Sequence, residues 1–321
     1  MLKTILAASA AFLALPSIAG AQAVIDNGTI QLGVRSLGDL NTAGVGMKDL
    51  RTGFEATYPG CTCEGWGVAV AGTGITGYAN SAIGTSGLNL VSFASTASTA
   101  TSTVALSAAP LQVTHAYTPS KVADLYRVDV TITNTGTAAT SGNVLYRRVM
   151  DWDIEPTAFY EYSTIQGTTG AKNVLYTSDN GFASSNPFGD RGALVGGAEG
   201  DFVDAGPYDH GALFDFSFSP LAAGASQSFS IYFGATKDEP SALAALGAVG
   251  AEMYSFGQSG LDKDGGTAGY ATFIMGFKGV GGMSMAGAVP EPATWAMMIL
   301  GMGGIGGGLR RRRAVATLAT A

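Results

Sequence analysis

Charge is scarce in this chain. Only 13% of its 321 residues are Asp, Glu, Lys or Arg, and it has two histidines, His115 and His210. So little imidazole leaves almost no room for histidine acid–base catalysis. Cysteine is confined to Cys61 and Cys63. A zinc site would need further Cys or His ligands, and two histidines are all the chain could add. Base is scarcer still in the body: setting aside Lys3, four tail arginines and Glu291 leaves 12 basic and 23 acidic residues, a net of −11. Such a surface disfavours nucleic acid and anionic membranes and suits a soluble extracellular protein that binds cations. No G-x-S-x-G occurs. Gly257-Gln258-Ser259-Gly260 lacks the spacing, so a nucleophile elbow is not supported.

Glycine is abundant, at 47 residues, and Ser and Thr are frequent. This is the composition of a secreted β protein with many turns. Period-two alternation supports that class. Residues 125–133 place Tyr126, Val128, Val130 and Ile132 on one face, and Arg127, Asp129, Thr131 and Thr133 on the other. Residues 143–153 resume the pattern, and the two runs read as an antiparallel hairpin. A second hairpin is expected from Phe214, Phe216 and Phe218 followed, after a turn at 220–224, by Phe229, Ile231 and Phe233. The Ser/Thr/Ala run at 92–107 reads as strand, and 270–277 as a last strand. Asp238-Glu239-Pro240 opens one short helix through Ala248, since acids and Pro favour a first turn. Strands at this spacing with one helix predict an all-β fold, a β-sandwich body built as one large sandwich or two smaller ones.

Chemistry-bearing residues are few. Asp151-Trp152-Asp153-Ile154-Glu155 lies at the end of a predicted strand, and alternation puts Asp151, Asp153 and Glu155 on one face. Acids beside an aromatic ring are what a sugar site uses, and paired acids could hydrolyse a glycosidic bond. The plainer reading makes Trp152 and Ile154 core and the acids a solvated rim. Further acids, Glu199, Asp201, Asp204, Asp209, Asp215, Asp262 and Asp264, lie in Gly-rich loops that do not fit the EF-hand pattern. No cofactor is required; calcium is the one these acids would admit. Cys61 and Cys63 must bridge each other, pair between chains, or stay free. Flanking Pro59 and Gly60 supply the turn that a Cys-x-Cys bridge needs.

The two ends read as addresses. Lys3, the apolar run 5–15 and the small-x-small Ala19-Gly20-Ala21 make a signal peptide of residues 1–21. The body then occupies 22–288. At the other end stand Pro290, Glu291, Pro292, Trp295 and Ala296, a Gly-rich apolar run, then Arg310, Arg311, Arg312 and Arg313. Residues 293–309 would span roughly 25 Å as a helix, against a ~30 Å hydrocarbon core. They are expected to form a single transmembrane helix, with the arginines held on the cytoplasmic side. Ala314 to Ala321 extends beyond them.

This tail resembles the PEP-CTERM sorting signal of Gram-negative bacteria, in its Trp-Ala variant, over residues 289–313. The resemblance implies recognition by exosortase, a membrane-embedded transpeptidase-like protease, with the secretion machinery as a further partner. It implies export across the inner membrane, transient anchoring there, and a final place at the cell surface or outside, often in an exopolysaccharide or biofilm setting. The body is then expected to be structural or adhesive and not an enzyme. The alternative is a carbohydrate-binding or glycoside-active protein working on secreted polysaccharide.

Overall fold

The computed structural model of the protein describes residues 22–285. The expected signal peptide, sorting motif, transmembrane helix and arginine run all lie outside the described residues. No helix among the described residues is long and apolar enough to cross a membrane.

The described chain is β-rich, with a single helix. It runs through β1 (Ala23–Asp26), β2 (Ile30–Val34), β3 (Met47–Asp49), β4 (Gly65–Val70), β5 (Thr76–Asn80) and β6 (Leu88–Ser95). There follow β7 (Ala100–Leu106), β8 (Leu111–Pro119), β9 (Leu125–Asn134), β10 (Val144–Asp151), β11 (Glu161–Gln166) and β12 (Val174–Ser178). The rest is β13 (Phe202–Tyr208), β14 (Gly211–Phe218), β15 (Ser226–Thr236), α1 (Glu239–Val249), β16 (Met253–Ser259) and β17 (Thr272–Lys278). Nine strands form one sheet, in the order β13-β11-β16-β17-β15-β9-β8-β7-β6, and five form another, β12-β14-β10-β4-β5. A small β1-β2-β3 sheet adds Ile25, Ile30, Leu32 and Met47 to the same core.

The apolar faces of the two large sheets meet in one contiguous core that includes Trp66, Val68, Tyr146 and Phe214 from one side and Val128, Val130, Phe233 and Phe277 from the other. Alternation along β9 is as the sequence predicts, with Tyr126, Val128, Val130 and Ile132 fully buried. Helix α1 begins where expected. Asp238 is its N-cap and accepts from the Ser241 amide at 2.8 Å, and Gly250 closes it in the left-handed region. The helix packs Ala242, Ala245 and Leu246 on Ile274 and Phe256, which is why β16 and nearly all of β17 are buried on both faces.

Both expected hairpins are corrected. β9 pairs with β8 and β15 in the large sheet, whereas β10 pairs with β4 and β14 in the other. β14 and β15 likewise sit in opposite sheets, with ring centroids of Phe218 and Phe229 at 5.5 Å and Phe216 and Phe229 at 6.1 Å across the core. In a hairpin the two rows of rings would lie side by side on one sheet. Crossing the core instead lets each row bury the other. The Ser/Thr/Ala run is itself a hairpin, β6 with β7, closed by the Thr96–Thr99 turn.

Two arginines in β10 are buried. Arg147 faces outward, where it donates from Nε and Nη2 to Asp215 at 2.6 and 2.9 Å and from Nη1 to the Ser184 carbonyl at 2.7 Å, under a loop. Arg148 faces the core. There it pairs with Glu64 and lies over the Phe233 ring, 5.2 Å from its centroid. At the end of the described chain, Glu252 accepts from the amides of Gly279, Val280 and Gly282, and the Met285 amide donates to the Ala251 carbonyl at 2.7 Å.

Candidate functional site

At one end of the sandwich the chain crosses twice between the large sheets. β10 ends at Asp151, registered against Gly211 of β14, and the segment 152–160 carries the chain over to Glu161 at the start of β11. The second crossing is short: Asp209 and His210 alone join β13 to β14. The Trp152 amide donates to the His210 carbonyl at 3.2 Å, and the Asp153 amide donates to the Ala56 carbonyl at 2.8 Å. These bonds tie both crossings to the loop before β4. That loop carries Cys61 and Cys63, which are joined in a disulfide with Cα atoms 5.1 Å apart. The Cys61 sulfur lies 3.1 Å from Asp151 Oδ2.

The crossings bring acids together. Asp151, Asp153 and Asp209 each offer a carboxylate oxygen, and all three lie within 4.8 Å of one another. Glu161 joins them electrostatically and is oriented by the His210 amide, which donates to its Oε1 at 3.1 Å. Asp151 is 1% exposed, and Asp153 and Glu161 0%, while Asp209 is on the solvent side. Asp151 Oδ1, both oxygens of Asp153 and Glu161 Oε2 accept no hydrogen bond from the protein. Burial pushes Asp151 up to about 9, with Asp153 and Asp209 adding repulsion. Burial also raises Asp153 to about 7, aided by Asp209 and Glu55, and Glu161 to about 9 against the pull of the His210 amide. Asp209 is raised by burial and lowered by His210, the net being upward.

Glycines let the loops close on these acids. Gly60 sits at φ +77°, and a Cβ there would lie 2.9 and 3.0 Å from the Asp153 carboxylate oxygens and 2.5 Å from the Phe159 ring. A Cβ on Gly181 would lie 3.0 Å from Asp151 Oδ1. Phe159, at φ +74° and 52% exposed, stands beside the group.

Burial of these acids has a pH signature. Ordinary values are 3.8 for Asp and 4.5 for Glu, so between those and about 9 the folded protein binds more protons than the unfolded chain. Stability in chelator should therefore fall as pH rises through that window. Asp179 and Asp201, which burial would raise but hydrogen bonds hold low, act in the opposite sense below about pH 4. His115, held by burial well below its ordinary 6.5, opposes the trend only up to that value, one group against several raised acids. Denaturant midpoints at pH 5, 7 and 9 in chelator are expected to decline in that order; a flat or rising series would mean that these acids are solvated.

The acids read from sequence do not all gather here. Glu155 stays outside the group and accepts from the Glu55 amide at 2.9 Å. Trp152 is fully buried, its ring against Gly257 and its Nε1 donating to Ser255 Oγ at 3.1 Å. It cannot stack on a sugar. Nor are Asp151 and Asp153 a solvated rim, and closed in as they are, they leave no space for a pyranose between them. Sequence reasoning noted Glu161 only as following the Asp151–Glu155 run, and set Asp209 apart among the other loop acids. Glu161 at the start of β11 carried a weak signal, being close in sequence to the other acids; Asp209 carried none, because only the topology returns it. Other loop acids act elsewhere: Asp201 accepts from the Thr168 amide and hydroxyl, and Asp262 from the Gly266 and Thr267 amides.

Comparison with known proteins places the tail. Residues 288–313 match the PEP-CTERM protein-sorting motif. The motif implies recognition by exosortase, a membrane protein, and indicates a secreted protein processed at the membrane. No curated protein matches the chain. Among solved structures, similarity is found to a candidate aldose 1-epimerase of Escherichia coli K12, at 10% identity over 83% of this chain and 94% of that one, with a TM-score of 0.31. A galactose mutarotase related enzyme of Lactobacillus acidophilus is 8% identical over 80% of this chain and 85% of that one, at 0.32. A galactose mutarotase-like protein of Lactobacillus casei is 10% identical over 80% and 87%, at 0.31. Likenesses this distant carry no argument about what the body does.

Proposed function

We propose that this chain is an exported surface or extracellular-matrix protein, cleaved at its PEP motif, whose β-sandwich body is structural or adhesive. The supporting observation is the sorting motif at 288–313, which follows within a few residues of a body that is packed as far as Met285. Expression in a host with and without exosortase tests it. Wild type should be shortened and released only where the enzyme is present. Replacing Pro290, Glu291 and Pro292 together by alanine should leave the full-length form at the inner membrane; release of that variant at the wild-type rate would sink the reading.

Adhesion to acidic polysaccharide is favoured by one surface feature. A groove of about 680 Å³ on the outer face of β8, β9 and β15 gathers Lys121, Arg127 and Lys278 with Asp129, Tyr232 and Ser230. Asp129 pairs with Arg127 there at 2.7 Å, and the remaining excess of positive charge stands out in a body of net charge −11. Arg127→Ala combined with Lys278→Ala is expected to weaken binding of a polyuronate by about tenfold, or ~1.4 kcal/mol. Binding unchanged by the variant or by salt would remove the groove from the reading.

A further inference from the structure

We infer that Asp151, Asp153 and Asp209 form a calcium site, flanked by Glu161, that fastens the two crossings at this end of the sandwich. The inference is independent of how the chain is sorted. An acidic group alone would not carry it. What does is that Asp153, fully buried, brings a carboxylate oxygen within 4.8 Å of those of Asp151 and Asp209, and neither of its oxygens finds a partner in the protein. None of the ion pairs among the described residues reaches these four acids. Buried carboxylates left unpaired are costly, and the protein supplies no Lys or Arg to pair them.

Donor chemistry selects the ion. The atoms on offer are carboxylate oxygens, the sulfurs of Cys61 and Cys63 are tied in a disulfide, and the His210 Nε2 lies 3.2 Å from the Glu161 carbonyl. Hard oxygen donors favour calcium or magnesium over zinc or copper. Calcium binds at 2.3–2.6 Å, so two of its ligands stand at most about 5 Å apart, and the three aspartates lie within 4.8 Å of one another. Magnesium keeps several waters and demands a near-ideal octahedron, which a cluster of converging carboxylates, two of them buried, does not suit. The surroundings are arranged for a ligand set: the His210 amide turns Glu161, and Gly60 and Gly181 leave room around Asp153 and Asp151.

Calcium binds both crossings at once, so it should stiffen the junction between the sheets. The protein purified after export is stripped with chelator and titrated with calcium alone by calorimetry. Terbium luminescence excited through nearby Trp152 gives a second readout. One ion per chain is expected, at a Kd of about 10⁻⁵ M or tighter, together with a calcium-dependent rise in the melting midpoint. Asp209→Asn lies on the solvent side and should fold, yet lose at least about tenfold in affinity, ~1.4 kcal/mol. Asp153→Asn should abolish the terbium signal, and Asp201→Asn should leave it intact. Absence of calcium binding by the stripped wild type would overturn the site. So would Asp209→Asn that binds as wild type, and magnesium binding as tight as calcium would overturn the choice of ion.

Discussion

Arg148→Ala should cost the fold about 3–5 kcal/mol, because it strands Glu64 as an unpaired charge in the core. Both side chains are fully buried between the sheets. The guanidinium is also enclosed by aromatic groups, lying over Phe233 and interacting with Tyr146 and Tyr117. Burial opposes the charged form of Glu64, and Arg148 is the largest influence that favours it. Remove the arginine and desolvation, with repulsion from Asp39, is opposed only by the Leu40 amide that donates to Glu64. Denaturant unfolding of wild type and variant checks the figure. Arg148→Met with Glu64→Leu should recover most of the loss, since apolar replacement of a buried pair is often neutral or better. A loss below about 1 kcal/mol for the single variant would mean that water reaches the pair.

Phe216→Ala should cost about 3–5 kcal/mol by opening a cavity at the meeting of the two sheets. Its ring centroid lies 5.1 Å from that of Phe277, 6.1 Å from Phe229 and within 6.3 Å of Phe214 and Phe218. These neighbours come from β14, β15 and β17 and cannot all move inward together. Phe216→Leu, which keeps most of the volume, should cost no more than about 1.5 kcal/mol. Phe159→Ala, at an exposed position, provides the contrast and should change stability by about 0.5 kcal/mol or less. Equal losses for Phe216→Ala and Phe159→Ala would contradict the burial described for the two rings.

What the sequence made legible was which face of a strand is apolar, and little about which sheet the strand joins. Tyr126, Val128, Val130 and Ile132 alternate with polar residues, and alternation depends only on the two-residue repeat of the backbone. Pairing depends on where the chain goes next. The Phe214 and Phe229 rows satisfy a hairpin pattern, yet more apolar surface is covered when they face each other across the core. Helix α1 was legible because its signals, Asp238, Glu239 and Pro240, are local. The acidic group was half legible. Asp151 and Asp153 share a face by alternation, but their burial comes from the loops at Gly60 and Gly181, and Asp209 arrives from 56 residues beyond Asp153. Trp152 shows the limit most plainly: beside acids in sequence it reads as a binding ring, and in the fold it faces the packed interior.

The pinned end of the body sets a short leash. Glu252 grips the amides of Gly279, Val280 and Gly282, and Met285 is still bonded to Ala251 and packed beside the helix. Only four residues, and so five Cα–Cα steps, separate Met285 from Pro290. Even fully extended they reach at most about 18 Å, less than the hydrocarbon thickness of a bilayer. A protease cutting at that motif therefore works within sight of the folded sandwich, and its mouth must clear that bulk. The leash is held by Glu252 and by the seat of Met285 against Ala251 and the helix, so loosening both would lengthen the tether without altering one residue of the signal.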